Sequence, residues 1–275
     1  VLTLDFRNGF KKLIAEYEQI VMKYLRNCVG KKRMIESGST DSSFRRDTFR
    51  EIVNQMSLQG RGADASDKII GQIQKAEAFR KGRIEWEPQY FLTDSSEGIR
   101  ILRGYLSERK IKKIEEISKE LVARGICNWI LRLHNLRTRE KTVMGPKSDD
   151  DFLKEHGFFD RVPIDVHSKR FLFRTGILHF YAKTKRQNPS DVFSTDYSKQ
   201  YKIFQDALVT FCSDFLNGIK IENFNLGKNP GIVDLIIWRH CGTSAEYGCK
   251  NICGAQPRCS QCSFRDSCVH YLLEI

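Results

Sequence analysis

Four cysteines near the end of the chain, Cys253, Cys259, Cys262 and Cys268, stand in a C-x5-C-x2-C-x5-C ladder within sixteen residues. Gly254, Pro257, Arg258 and Arg265 are set among them, and so short a loop has too few apolar residues to hold its own shape. An inorganic core is therefore expected. One tight and two wider spacings suit a [4Fe–4S] cluster, whose irons sit at separate corners and are each held by a thiolate. A single tetrahedral zinc is the rival, but structural zinc sites usually pair two tight C-x2–4-C knuckles, and only one is present. A disulfide framework ranks behind both. Cys241 and Cys249, just upstream, read as core or loop thiols, and Cys127 and Cys212 lie in apolar surroundings that suggest core positions.

The chain has 275 residues, 40% of them hydrophobic, enough for one large domain or two smaller ones with cores of their own. Asp5, Arg7, Lys11 and Lys12 break up the opening residues, unlike a secretory leader, and no apolar run is long enough to span a bilayer. With no secretion route indicated, nine cysteines suggest metal binding in a reducing intracellular compartment: a prokaryotic cytoplasm or nucleoid, or a eukaryotic nucleus. A formal charge of +12 and a pI near 9.3 point to a polyanionic partner.

Apolar residues recur at helical spacing almost throughout. Leu4, Phe6, Phe10, Leu13, Ile14, Tyr17, Ile20, Val21, Tyr24 and Leu25 form one stripe, predicting an amphipathic N-terminal helix. The polar stretch from Lys31 to Ser43 reads as a linker. Helical patterns resume at Phe49–Met56 and Ile69–Ile73, and again from Ile111 to Val122 with Gly125 as a stop. Further helices are expected over Phe171–Tyr181, Tyr201–Phe215 and Asp234–Trp238, with no hairpin signal and no internal repeat. The expected class is all-α.

A second constellation runs from Thr142 through Gly145, Pro146, Lys147, Ser148 and Asp149 to Leu153, and is followed by Val162-Pro-Ile-Asp165-Val-His167. Gly145-Pro146 breaks a preceding helix, and Ser148 or Asp149 could cap a new one. Lys147 would then sit at the positive end of a helix dipole, which disfavours an ammonium and suits a nucleophilic amine. A solvated surface lysine is the plainer reading of that residue alone. Asp165, eighteen residues later among Val162, Pro163, Ile164 and Val166, reads by itself as a helix cap or ion-pair partner.

Together, the lysine turn, the aspartate and the four-cysteine loop resemble the helix-hairpin-helix DNA glycosylase superfamily, in its iron–sulfur, endonuclease III-like branch. Gly145-Pro146-Lys147 is similar to the second half of the family hairpin, Val162–His167 to its catalytic aspartate motif, and Pro257–Cys262 closing on Cys268 to its cluster loop. Met56-Ser-Leu-Gln59 is similar to the segment whose glutamine probes the DNA stack. The resemblance spans about Phe44 to Tyr271. Two departures stand out: Val143 replaces a usual glycine, and Ser148, Asp149, Asp150 and Asp151 replace small apolar residues. Three added carboxylates are expected to weaken phosphate gripping there.

The resemblance implies a two-lobed α fold. One lobe would be a helical barrel with the helix-hairpin-helix over 40–160; the other, 1–39 plus 161–275, would carry the cluster, with double-stranded DNA between them. It implies a monomeric base-excision enzyme, both DNA glycosylase and abasic-site lyase, acting on duplexes that hold a damaged, oxidised base or an abasic site. Lys147 would be the Schiff-base nucleophile and Asp165 the electrostatic stabiliser. Gln59 would fill the vacated stack and Gly145 would approach a phosphate. Lys250, Arg258 and Arg265, bordering the ladder, read as phosphate contacts. His167 reads as orienting Asp165 or as structural. The segment Asp234–Trp238 also resembles archaeal 8-oxoguanine enzymes, leaving oxidised pyrimidine and 8-oxoguanine both open. Two other classes remain: a non-catalytic iron–sulfur DNA-binding protein and a zinc-stabilised RNA-binding protein.

Overall fold

The apolar stripe of the N-terminal segment carries a single helix, α1 (Phe6–Glu36), much further than its first four turns. We describe it from a computed structural model that covers residues 5–59, 63–136, 143–185 and 195–273; Leu4 and Thr142 lie outside these. Phe6, Phe10, Leu13, Tyr17, Val21, Leu25 and Cys28 recur every three or four positions and are all buried, and Ile35, two turns on, is buried as well. The segment from Lys31, expected as a linker, is therefore helical as far as Glu36. Ile35 continues the stripe, and Lys31 Nζ pairs with Glu51 at 2.6 Å. Only 37–41 leaves the helix.

The chain divides into two compact units, 1–28 with 158–275 and 29–157, so that one division falls inside α1. The unit 29–157 continues with α2 (Ser42–Leu58), α3 (Ala63–Gln74), α4 (Glu77–Arg80), α5 (Glu97–Leu102), α6 (Glu108–Arg124), α7 (Ile126–Asn135) and α8 (Pro146–Glu155). Helix α2 starts where the Asp41 side chain accepts the Phe44 amide at 2.8 Å, a cap worth about 1 kcal/mol. Its buried residues Phe49, Ile52, Val53 and Met56 form the face that packs on α3, α6 and α8. In α6, Ile111, Ile114, Ile117 and Leu121 turn inward while Val122 is left exposed.

The other unit is built from the first part of α1 with α9 (Val166–Thr175), α10 (Ile177–Thr184), α11 (Tyr197–Phe215), α12 (Pro230–Cys241) and α13 (Val269–Leu273). A two-residue hairpin, β1 (Lys220–Ile221) against antiparallel β2 (Phe224–Asn225), corrects the expectation of none. Its strands are too short to show an alternating pattern, and the turn is made by Glu222 at φ 50°. The molecule is otherwise helical, so the all-α class stands. The apolar run feeding α12 has no polar face. Ile232, Val233, Leu235, Ile236 and Ile237 are buried around its whole circumference, and each contributes roughly 1.5–3 kcal/mol. Among the described residues, no helix is long and apolar enough to cross a membrane.

Candidate functional site

Lys147 stands in the first turn of α8, one residue after Pro146. Gly145 caps that helix at φ 97° and ψ 158°, a region essentially confined to glycine, although an added Cβ would meet no atom within 4 Å. Backbone conformation therefore requires the glycine here, rather than crowding. Gln59, just past α2, donates from Nε2 to Met144 O at 2.8 Å and to Ser148 Oγ at 3.2 Å. Lys110 Nζ donates to Gln59 O at 2.8 Å and Ser57 O at 3.2 Å, and Lys113 Nζ reaches Met144 O at 3.5 Å. The structure thus gathers Gln59, Gly145 and Lys147 at one turn, backed by two further lysines that sequence reading did not single out. Burial, reinforced by Arg109, lowers the Lys113 pKa.

The acidic run after Lys147 is largely packed against the protein. Asp149 and Asp150 are each 6% exposed. Asp151 Oδ1 pairs with Lys154 Nζ at 3.1 Å, and its Oδ2 accepts from Gln55 Nε2 at 3.2 Å. Burial works to raise the Asp151 pKa, but Lys154 and then Lys147 outweigh it and hold the carboxyl below its ordinary value. Helical periodicity explains this packing: α8 turns this side of its first two turns inward.

Asp165 ends the extended 161–165 stretch and caps α9. Its Oδ1 accepts both the His167 amide at 2.7 Å and the Ser168 amide at 2.9 Å. One oxygen serves the cap and leaves Oδ2 for another partner. His167 joins this arrangement through its backbone; its buried Nδ1 makes no hydrogen bond, so the ring does not orient the carboxylate. Ser168, in the same turn, donates from Oγ to the buried Asp234 at 2.6 Å.

The far end of α9 grips the cysteine loop. Arg174 donates from Nη1 to Gly254 O at 2.6 Å and from Nη2 to Ala255 O at 3.1 Å, with Cys253 Sγ 3.8 Å away. Cys268 Sγ donates back to Arg174 O at 3.4 Å. Along α1, successive turns meet the same loop. Asp5 O accepts from Ser267 Oγ at 2.7 Å, Lys12 pairs with Asp266 at 3.1 Å, and Glu16 accepts from Ser263 Oγ at 2.7 Å. Gly9 lies between them, where an added Cβ would stand 2.7 Å from Ser267 Oγ and 3.0 Å from the Phe264 ring. Phe264 is 1% exposed and packs on Phe171 with ring centroids 5.4 Å apart. Phe264 therefore gives the loop an apolar anchor in the core.

All four ladder cysteines line one small cavity, beside Ile252, Pro257, Arg174 and Arg265. Among the described residues, no group of three or more His, Cys, Asp or Glu is placed to hold a metal ion. The ladder thiols differ from one another. A hydrogen bond from Cys241, helped by Arg174 against burial, pulls Cys253 down to about 6, whereas burial pushes Cys262 up to about 12 and raises Cys268. Four sulfurs around a cavity, with two guanidiniums beside it, fit an anionic cluster whose ligands stand apart.

Of the basic residues bordering the ladder, Lys250 pairs with Glu16 at 2.7 Å and lies 4.9 Å above the Tyr17 ring centroid. Arg258 donates to the Lys250 and Asn251 carbonyls, and Arg265 bonds its neighbour Asp266 at 3.2 Å. Each is thus tied into the loop as well as facing outward. Sequence reading missed Arg174, Tyr17 and His240. The His240 carbonyl accepts the amides of Ile252 at 2.8 Å and Cys253 at 3.3 Å, and its ring meets Cys262 Sγ at 3.3 Å. The available signal was a histidine in a helix with no polar face, where a buried polar ring needs partners. No family model, curated protein or solved structure matches this chain.

Proposed function

We propose that this chain is a helix-hairpin-helix DNA glycosylase and abasic-site lyase that carries a [4Fe–4S] cluster on its cysteine loop. The observation that carries this reading is α9. One ten-residue helix has Asp165 as its N-cap and Arg174, in its last turn, holding the loop that bears Cys253, Cys259, Cys262 and Cys268. Two motifs picked out independently in the sequence thus meet the two ends of one helix.

A damaged base is reached by rotating its nucleotide out of the duplex. Gln59 would leave its bonds to Met144 and Ser148 to take up the vacated space. Positive charge grows on the sugar as the bond to the base lengthens, and Asp165 Oδ2 stabilises it electrostatically while Oδ1 stays on the cap. Lys147 Nζ, as the neutral amine, forms a bond to C1′ as the bond from C1′ to the base breaks, and the base leaves with a proton. Ring opening gives an iminium between Nζ and C1′. Loss of a C2′ proton then expels the 3′ phosphate oxygen and nicks the strand. The cluster, when bound, would be held by the four cysteines and would stiffen the loop as a scaffold. The positive turn at Lys110, Lys113 and Lys147 and the net charge of +12 suit a phosphate backbone.

A non-catalytic DNA-binding protein is the other class of reading. Its best support was the acidic run, in which Asp149 and Asp150 are buried and Asp151 pairs with Lys154. The test is incubation of the iron-loaded protein with duplexes that each carry one oxidised pyrimidine, 8-oxoguanine or an abasic site. Strand nicks and borohydride-trapped adducts are expected on the abasic duplex and on at least one lesion. Tight binding to all of them with neither nick nor adduct would favour the non-catalytic reading.

A further inference from the structure

His240 is completely buried, yet its ring nitrogens each have a named partner. Nδ1 lies 3.1 Å from the Tyr17 hydroxyl and Nε2 lies 3.3 Å from Cys262 Sγ. A thiolate bound to iron offers lone pairs only, so the nitrogen facing it must carry the proton. Neutral imidazole then has its lone pair on Nδ1, where the Tyr17 O–H donates to it. The tautomer is set by the neighbours on both sides. The ring cannot swing away, because Tyr17 and Phe171 stand edge-on to it with interplanar angles of 87° and 90°. Its backbone is equally fixed, since the amides of Ile252 and Cys253 both end on His240 O. The backbone amides of Phe264, at Cys262, and of His270 and Tyr271, at Cys268, also donate to ladder sulfurs, whereas Arg174 makes its short bonds to carbonyls and comes no nearer than 3.8 Å to Cys253 Sγ.

We propose that His240, oriented by Tyr17, is a buried side-chain hydrogen-bond donor that raises the electron affinity of the iron–sulfur centre held by the ladder. Adding an electron makes the centre more negative, so a donor on a ligand sulfur stabilises the reduced form and raises the reduction potential. The inference rests on the cluster reading and is separable from it by experiment. Potentiometric titration of the full chain, followed by visible absorption with iron counted in parallel, reads the effect. His240→Leu removes the donor and is expected to shift the one-electron equilibrium about tenfold toward the oxidised form, a fall of about 59 mV. Tyr17→Phe deletes one oxygen and is expected to shift it the same way by less, while His240→Gln, which keeps an N–H donor, stays nearer to wild type. If His240→Leu does not assemble, Tyr17→Phe decides: a fall supports the proposal and an unchanged potential overturns it. Full iron and wild-type potential in His240→Leu would also overturn it. Wild-type protein without iron would instead sink the cluster reading, and this inference with it.

Discussion

The lysine turn and the cysteine loop are held in opposite ways. The turn at Gly145–Lys147 is fixed by a glycine conformation, a proline and a few hydrogen bonds from Gln59, Lys110 and Lys113. The loop is clasped by α1, by Arg174 of α9 and by His240 of α12, with Phe264 driven into the core. One is a turn tied by few contacts; the other is braced from three helices and the core. A nucleophile that must reach a sugar benefits from the first, and a cofactor that must be held benefits from the second.

If the brace is real, its anchor should cost the most to remove. Phe264→Ala empties a fully buried aromatic site and is expected to lose about 3–5 kcal/mol of stability in denaturant titration, with loss of bound iron. A variant as stable as wild type would mean that the loop is held by its ligands alone.

That contrast also explains what the sequence could tell. Lys147, Asp165 and the ladder were legible because each rests on local chemistry: a Gly-Pro break, an apolar aspartate motif, four spaced thiols. The hairpin at Lys220–Asn225 was too short for a pattern, and the apparent linker at Lys31–Glu36 was overruled by Ile35 and by the Lys31–Glu51 pair. Arg174 and His240 look like any surface arginine or core histidine. Their roles depend on carbonyls and sulfurs brought near only by folding, and Phe264 likewise gives no local sign that it reaches Phe171.

Asp165→Asn separates capping from chemistry, since asparagine caps helices as well as aspartate does. Stability and DNA binding should hold while base release falls by about a hundredfold or more, roughly 2.7 kcal/mol or above. Excision at the wild-type rate would reduce Asp165 to a cap.

The unit with the lysine turn should show its own signature with pH. Burial and then Lys31 pull the His156 imidazole down to about 3 from 6.5, while its Nδ1 bonds Phe152 O at 2.8 Å. The unfolded chain therefore takes up the proton first. Stability is complete above pH 6.5 and declines as pH falls from there toward 3, by at most about 1.4 kcal/mol per unit. Urea titrations of wild type and His156→Phe across that window measure it, and the variant should have the shallower slope. Equal slopes would show that protonated His156 is compensated by Glu51, whose Oε2 lies 3.3 Å from Nε2.

A smaller effect probes the notch between α1 and the loop. Gly9→Ala places a methyl 2.7 Å from Ser267 Oγ and 3.0 Å from the Phe264 ring, and should cost about 1–3 kcal/mol with faster loss of iron to a chelator. Unchanged release would mean that the loop yields easily and the brace is loose.

The central claim is that Lys147 is the nucleophile. Lys147→Gln keeps a polar side chain but cannot form an imine, and it lies in the unit that does not carry the ladder. Borohydride trapping on an abasic-site duplex should give a covalent adduct with wild type and none with the variant. The variant should also lose strand cleavage, keep its iron and still bind the duplex. Trapping by Lys147→Gln at the wild-type level would place the nucleophile on another amine and contradict the account.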